Sequence, residues 1–155
     1  MARISMVKKA VAIMMVLALL VAVAIGAAGC SNSGDVKINW LSDWTEALNK
    51  AQDENKPIMI YFYTELCPAC RHLEENAFSD GALSAYLNDN IICLESNADR
   101  STLHNRYEIK GTVPTTVFSK PDGYEKQYEI ARLIGSAPAE DFYQAAQAAL
   151  EQVQG

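Results

Sequence analysis

The chain has 155 residues, half of them hydrophobic, and carries a net charge of −6 at neutral pH. This length accommodates one domain with an additional segment. The acidic balance argues against a nucleic-acid-binding protein and against electrostatic attachment to anionic lipid.

The first 29 residues are organised like a secretory signal. A short basic start is followed by an uncharged apolar run over residues 10–29, which ends in small residues. The sequence AAGC at residues 27–30 resembles a bacterial lipobox, in which the cysteine is lipidated and becomes the new N-terminus, although leucine is usual in place of Ala27. We therefore predict a lipoprotein-type signal peptide over residues 1–29 and a lipid anchor on Cys30.

Two alternatives for this segment stay open. A run of 20 apolar residues is also long enough to span a bilayer as an uncleaved anchor, and ordinary cleavage near Ala28 is the other alternative. All three interpretations place the folded part, residues 36–155, outside the cytoplasm behind a short tether at residues 30–35. Loss of residues 1–29 removes three basic and no acidic residues and leaves a net charge of −9. We therefore expect membrane contact through the lipid on Cys30.

Apolar runs predict five strands in the remaining chain. The continuous run at residues 58–63 is typical of a central strand buried on both faces. Shorter runs predict an edge strand at residues 36–40 and a buried strand at residues 91–94, in which Cys93 is expected to be a buried free thiol. Two further strands, at residues 115–118 and 128–134, flank the turn signal Pro121-Asp122-Gly123 and should form a hairpin.

Cap signals and helical spacing predict the helices between these strands. The first should begin at Ser42 or Asp43 and end before Pro57. The segment from Cys70 to Phe78 is predicted to be helical, with a second helix start at Ser79-Asp80, a short helix over residues 101–107 and a last helix from Pro138. The buried stripe of that last helix should contain Phe142, Ala146, Ala149 and Val153. The order β-α-β-α-β-α-β-β-α predicts an α/β fold whose mixed central sheet is covered by helices on both faces.

Two cysteines, Cys67 and Cys70, follow the central strand directly and open the next helix. Unpaired backbone N–H groups and the positive end of the helix dipole favour a thiolate at such a position. The thiolate is the nucleophile of disulfide exchange. We therefore predict that Cys67 attacks and that Cys70, one turn further in, resolves the mixed disulfide. Pro68 between them suits the first helical position.

The C-x-x-C spacing also occurs in metal sites, which usually need a second pair of ligands. His72 and His104 are the available extra ligands, but His72 lies only two residues after Cys70. The simpler interpretation of both histidines is a solvated surface position. A structural disulfide and a Cys67–Cys70–His site for a metal such as copper remain alternatives. No cofactor and no metal are expected.

A second motif, VPT at residues 113–115, precedes the predicted fourth strand. Together with CPAC at residues 67–70 it resembles the thioredoxin superfamily, and the likeness covers residues 36–153. The resemblance implies a thioredoxin-like three-layer fold that ends in a β-hairpin and a helix. It also implies a cis Val113–Pro114 bond packed against the cysteine pair, and a substrate chain that pairs with the backbone of Val113. An ordinary trans turn is the alternative for this bond.

A closer likeness rests on residues 64–67, Glu74 and the sequence FSD at residues 78–80. These resemble the C-terminal periplasmic domain of the transmembrane thiol:disulfide interchange reductases and related secreted thioredoxin-like lipoproteins. Glu74 lies one turn beyond Cys70, where a carboxylate is placed for proton transfer to the resolving thiol. A solvated helix residue is the alternative interpretation of Glu74.

Two positions depart from the thioredoxin pattern. Leu66 stands where many thioredoxins have tryptophan, and Tyr61 stands where they have a buried aspartate. The usual proton acceptor for the second cysteine is therefore missing. This puts a housekeeping thioredoxin role in doubt, though not disulfide exchange itself.

The resemblance implies a membrane-tethered thiol:disulfide oxidoreductase outside the cytoplasm, with a reductase favoured. Its partners would be oxidised protein substrates and a membrane thiol/disulfide electron donor. A disulfide oxidase or isomerase is the alternative with the same chemistry, because direction depends on the relative stability of the two redox states. A non-catalytic binding or metal-handling module is the alternative from another class.

Overall fold

The computed structural model describes residues 36–155, which belong to one compact unit. The predicted signal peptide at residues 1–29, the lipidation site Cys30 and the tether at residues 30–35 lie outside the described residues. Among the described residues, no helix is long and apolar enough to cross a membrane.

The sheet has five strands in the order β1-β3-β2-β4-β5. Strands β1, β2 and β3 run parallel to one another, and β4 and β5 add antiparallel pairs at the other side. The strands are β1 Trp40–Leu41, β2 Ile58–Tyr63, β3 Ile92–Asn97, β4 Thr115–Ser119 and β5 Glu129–Ile134. The central strand is β2, as its continuous apolar run predicts, and five of its six residues are buried.

Within residues 36–155, five α-helices connect and cover the strands, together with a short 3-10 helix at Lys126–Tyr128. They are α1 Trp44–Glu54, α2 Pro68–Glu75, α3 Gly81–Asn90, α4 Leu103–Arg106 and α5 Ala139–Gln154. Asp43 and Asp80 cap α1 and α3 because each carboxylate accepts the N–H of the residue three places on, as the sequence predicts. This arrangement confirms the predicted α/β architecture with a mixed sheet between helices.

The alternation of side chains along the strands builds two separate cores. The first core, on one face of the sheet, packs Met59 and Tyr61 against α2, α3 and α5 and includes both Cys67 and Cys70. The second core, on the opposite face, packs Ile58, Ile60 and Phe62 against α1 and α4. The cysteine pair therefore belongs to only one face of the sheet.

Three predicted boundaries are wrong. The edge strand is Trp40–Leu41 and not residues 36–40, because Asn88 of α3 binds the backbone of Lys37 and Asn39 through its side-chain amide. The helix after the cysteines ends at Glu75, so Ala77 and Phe78 are buried outside it. The third strand continues past its predicted end at Leu94 as far as Asn97.

Candidate active site

The cysteine pair lies where β2 ends and α2 begins. Cys67 is the N-cap residue of α2 with extended backbone angles, and Pro68 occupies the first helical position. The Cys70 N–H donates to Cys67 Sγ at 3.1 Å, and the Cys70 and Arg71 N–H groups also reach the Cys67 carbonyl oxygen. One N–H group of the helix start thus donates to the first sulfur, and the positive end of the helix dipole lies beside it, which is the arrangement that stabilises a thiolate.

Cys67 and Cys70 form a disulfide in this structure. Cys67 is 7% exposed, whereas Cys70 is 2% exposed and lies deeper in the first core. An incoming thiol or disulfide therefore reaches Cys67 first. This order fits the predicted roles, in which Cys67 attacks and Cys70 resolves.

The Val113–Pro114 bond is cis. Pro114 is buried directly before β4, and half-buried Val113 packs against both cores, the first of which contains the two cysteines. The Gly135 N–H donates to the Pro114 carbonyl oxygen at 2.8 Å, so the loop after β5 holds this segment in place. The structure thus brings the two sequence motifs to the same core. That Val113 and Pro114 bind substrate stays a prediction.

The Glu74 carboxylate accepts a hydrogen bond from a tyrosine of the central strand β2. The hydroxyl of Tyr61 donates to Glu74 Oε1 at 2.9 Å. Burial, and then this hydrogen bond, raise the pKa of Tyr61 far above its usual value, so the phenol stays a neutral donor. Tyr61 occupies the position at which the thioredoxin pattern has a buried aspartate, so here a hydrogen-bonded phenol and a helix carboxylate stand in place of that single acid.

Glu95 is a further ionisable residue that sequence reasoning missed. Its Cα pairs in register with that of Tyr61 on the neighbouring strand β2. Because Cys93 of the same strand belongs to the first core, Glu95 also faces that side of the sheet. Burial first, and then the negative charge of Glu74, raise the pKa of Glu95. Alternation along β3 would have revealed Glu95 had the predicted strand extended past Leu94.

An exposed apolar side chain borders the pair. Leu66, directly before Cys67, is 91% exposed, in the position at which many thioredoxins carry tryptophan. Ile134, at the end of β5 and paired in register with Thr115 next to Pro114, is the other large hydrophobic side chain that is exposed within residues 36–155. The surface beside the disulfide therefore offers apolar contact area.

Neither histidine is placed as a ligand of the cysteine sulfurs. The His72 ring shares a hydrogen bond of 2.8 Å with the Ser136 hydroxyl, which links α2 to the loop before α5. His104 donates from Nδ1 to the Ser101 carbonyl oxygen at 2.6 Å. Within the described part of the chain, no three His, Cys, Asp or Glu side chains come together in a way that could hold a metal ion.

Cys93 is buried within the first core and is not part of the disulfide. Burial raises the pKa of its thiol to about 12. A thiol with so little thiolate does not compete with Cys67 as a nucleophile. The prediction of a buried free cysteine is confirmed.

A disulfide at a helix start, a deeper second sulfur and a cis-proline loop packed on the same core together define a thiol:disulfide exchange domain. A Thioredoxin-like family model matches residues 39–121 of the chain. The chain belongs to this thioredoxin-like family, and it is a thiol:disulfide oxidoreductase.

Curated relatives agree with this class. The chain is 31% identical over 98 residues to the thiol:disulfide interchange protein DsbD of Yersinia pestis. The aligned part makes up 61% of this chain and 16% of that protein. The chain is 30% identical over 109 residues to DsbD of Salmonella typhi, and the aligned part makes up 68% of this chain and 18% of that protein. The chain thus corresponds to less than a fifth of the length of these relatives.

Solved structures share the fold. A thioredoxin from Thermus thermophilus aligns with a TM-score of 0.60 and 31% identity over 76% of this chain and 87% of that one. The DsbH oxidoreductase aligns with a TM-score of 0.63 over 81% of this chain and 93% of that one, at 18% identity, which supports the fold alone.

Proposed function

We propose that the chain is an extracytoplasmic, membrane-tethered reductase of protein disulfides. The observation that carries the proposal is the Cys67–Cys70 disulfide at the start of α2, with the Cys70 N–H directed at Cys67 Sγ. The likeness to thiol:disulfide interchange proteins supports disulfide exchange with proteins. The signal-like segment before Cys30 supports the tether and the location.

The reaction begins from the dithiol form. The Cys67 thiolate attacks a disulfide of the substrate, forms a mixed disulfide and releases one substrate sulfur as a thiolate. Cys70 then attacks Cys67 Sγ, which closes the Cys67–Cys70 disulfide and releases the second substrate sulfur. The substrate gains two electrons, and the pair loses them.

The substrate contacts the two segments that border the disulfide. The backbone of Val113 pairs with an extended substrate chain, which gives affinity without demanding a particular sequence. Pro114 holds this segment against the pair, and exposed Leu66 adds apolar contact. Unfolded or loosely folded oxidised proteins therefore fit the surface best.

The resolving step requires that the Cys70 thiol lose its proton. Glu74 is the proposed acceptor, because it lies one turn beyond Cys70 on α2 and its carboxylate is held by the Tyr61 hydroxyl. The reduced state is then regenerated by a membrane thiol/disulfide donor that attacks the exposed side of the closed pair at Cys67.

The direction of electron flow is tested by the equilibrium reduction potential of the pair, measured on the full chain in detergent against glutathione. A value near or below about −230 mV matches the reducing members of the scale and supports the reductase. A value near about −120 mV matches a strong oxidant and would show that the alternative, an oxidase, is correct.

The tether is tested separately with Cys30→Ser. We expect the wild-type chain to sediment with membranes and to incorporate labelled fatty acid. The variant should incorporate no labelled fatty acid and should keep its disulfide exchange activity. An unlabelled wild-type chain would contradict the lipid anchor and leave the redox chemistry standing.

A further inference from the structure

Glu95 differs from Glu129, the other partly buried acidic residue within residues 36–155, by having no binding partner in the protein. Glu129 is paired with Arg132 at 2.5 Å in a half-buried position. Glu95 forms neither a side-chain hydrogen bond nor an ion pair within residues 36–155. A half-buried carboxylate without a compensating partner reduces stability, which is typical of groups kept for chemistry.

The surroundings of Glu95 are those of the active-site face. Its strand position is in register with Tyr61, whose ring stacks on Tyr63 with centroids 5.4 Å apart and whose hydroxyl binds Glu74. The titratable groups that interact with Glu95 are Tyr61 and Tyr63 of the neighbouring strand and Glu74 of α2, while Glu65 and Arg100 of the adjacent loops act on Tyr63. The single cation among them, Arg100, is bound to Glu65 at 2.5 Å in an exposed position.

The short first strand leaves an opening beside Glu95. Strand β1 pairs only with Cys93 and Leu94, so β3 becomes the edge of the sheet from Glu95 onward. A cavity of about 230 Å³ lies at this edge and is lined by Tyr63, Glu95 and Asn97 among others. Trp44, Leu94 and Leu103 also line the cavity, so its wall is polar and apolar in about equal parts. Its size leaves room for several water molecules beside the Glu95 carboxylate.

We propose that Glu95 is the second proton-holding group of the disulfide site, which takes over the proton that Cys70 loses and exchanges it with water in the edge cavity. The inference rests on the proposed function and deepens it. Glu95 acts through the hydrogen-bonded pair of Tyr61 and Glu74, so it is a positioning residue and not a catalytic one.

Three bonds to sulfur change in the resolving step. The S–H bond of Cys70 breaks, the Cys67–Cys70 bond forms, and the bond between Cys67 and the substrate sulfur breaks with its electron pair leaving on that sulfur. The proton from Cys70 passes to the Glu74 carboxylate, which Tyr61 holds, and water then carries it to the Glu95 carboxylate. In the opposite direction Glu95 returns the same proton to Cys70.

The test separates attack from resolution on the full chain in detergent. The reduced protein is mixed with Ellman's reagent in a stopped-flow instrument. Cys67 releases the first thionitrobenzoate when it attacks, and Cys70 releases the second when it resolves. We expect Glu95→Gln to slow the second phase about tenfold at neutral pH, to flatten its dependence on pH, and to leave the first phase within about twofold of wild type.

Two further variants separate a proton-holding role from a structural one. Glu95→Asp keeps a carboxylate and should restore most of the second-phase rate. Glu75→Gln removes an exposed charge from α2 next to Glu74 and should leave both phases unchanged. A second phase of Glu95→Gln within about twofold of wild type between pH 5 and 9, or equal slowing by Gln and Asp, would overturn the inference.

Failure of the proposed function gives a different result. If the wild-type protein releases no second thionitrobenzoate and does not reduce insulin disulfides, the pair is not an exchange site, and both proposals fall. If the wild type shows both phases while Glu95→Gln equals it, the proposed function stands and only the role of Glu95 is lost.

Discussion

The two faces of the sheet carry different kinds of side chain, although the same strands build both. On the second-core face, β2 contributes Ile58, Ile60 and Phe62, which pack with other apolar groups against α1 and α4. On the first-core face, the alternate residues of the same strand include Tyr61 and Tyr63, which lie near Glu74, Glu95 and the disulfide. The side chains of β2 thus point alternately to an apolar packing face and to the face that carries the disulfide and the ionisable groups.

The polar side chains on the two faces of the sheet also differ in their hydrogen-bond partners. On the second-core face the buried hydroxyl of Tyr107 donates to Ser119 at 3.0 Å, whereas the buried hydroxyl of Ser96 has no partner within residues 36–155. On the first-core face the hydroxyl of Tyr61 is bound to an exposed helix carboxylate, and Glu95 has no partner among the described residues. Variants on the two faces should therefore affect different quantities.

The largest effect is expected at the disulfide itself. Cys67→Ser removes the nucleophile and should abolish the reduction of insulin disulfides, whereas Cys70→Ser should attack but remain trapped as a mixed disulfide. Turnover, together with mass spectrometry of trapped adducts, measures both. Trapping by Cys67→Ser and not by Cys70→Ser would reverse the assigned roles.

A large loss of stability is expected from the scaffold face. Phe62 is fully buried and its ring lies 5.9 Å from that of Tyr107. Phe62→Ala should lower the free energy of unfolding in urea by about 3–5 kcal/mol, and the milder Ile60→Val by about 0.5–1.5 kcal/mol. The reduction potential of folded Ile60→Val should equal that of wild type. A shifted potential would show that the two faces are not independent.

A matched pair of tyrosine variants compares the faces directly. Tyr61→Phe and Tyr107→Phe each remove one buried hydroxyl, and each should cost about 0.5–1.5 kcal/mol of unfolding free energy. Only Tyr61→Phe should also slow the release of the second thionitrobenzoate, because only its hydroxyl holds Glu74. Equal kinetics in both variants would show that the Tyr61–Glu74 hydrogen bond has no part in resolution.

The smallest expected effect is a pH-dependent change in stability at Glu95. Its pKa is raised in the folded protein from the ordinary value of 4.5, so the folded state binds the proton more tightly than the unfolded state. The resulting stabilisation is present at acidic pH and is lost as pH rises through the raised pKa. Glu95→Gln should therefore be slightly more stable than wild type at neutral pH, by less than about 1 kcal/mol because solvent screens a half-exposed charge.

Urea unfolding at several pH values measures this difference, with Glu75→Gln as the control that should show no such trend. A Glu95→Gln variant that is less stable than wild type at neutral pH would mean that the carboxylate makes a favourable contact in the folded state.

Much of the fold could be predicted because its local signals agree with its tertiary structure. The apolar run of β2 and the capping carboxylates Asp43 and Asp80 fix their elements within the chain itself. The bounds of the edge strand could not be predicted, since Asn88, about fifty positions away, binds the backbone of Lys37 and Asn39 directly before it. Ala77 and Phe78 continue the helical spacing of α2 but are buried after its end.

The residues of the candidate site that belong to a sequence motif could be predicted. Cys67 and Cys70 follow from a strand, a helix start and their spacing, and the cis Val113–Pro114 bond follows from the family resemblance. Glu95 could not be identified because no motif contains it. Its relation to Tyr61 exists only through the register of β2 with β3, which pairs residues 34 positions apart.

The burial of Cys93 has a consequence for how the domain changes state. When Cys67 and Cys70 are joined, the one thiol left within residues 36–155, that of Cys93, is enclosed and carries almost no thiolate. It cannot attack the closed bond, so rearrangement into a wrong pairing is blocked. The folded domain therefore switches between two covalent forms only. Accessible thiols, counted by alkylation of the native protein, should number none in the disulfide form and one, Cys67, in the dithiol form, provided that Cys30 is lipidated.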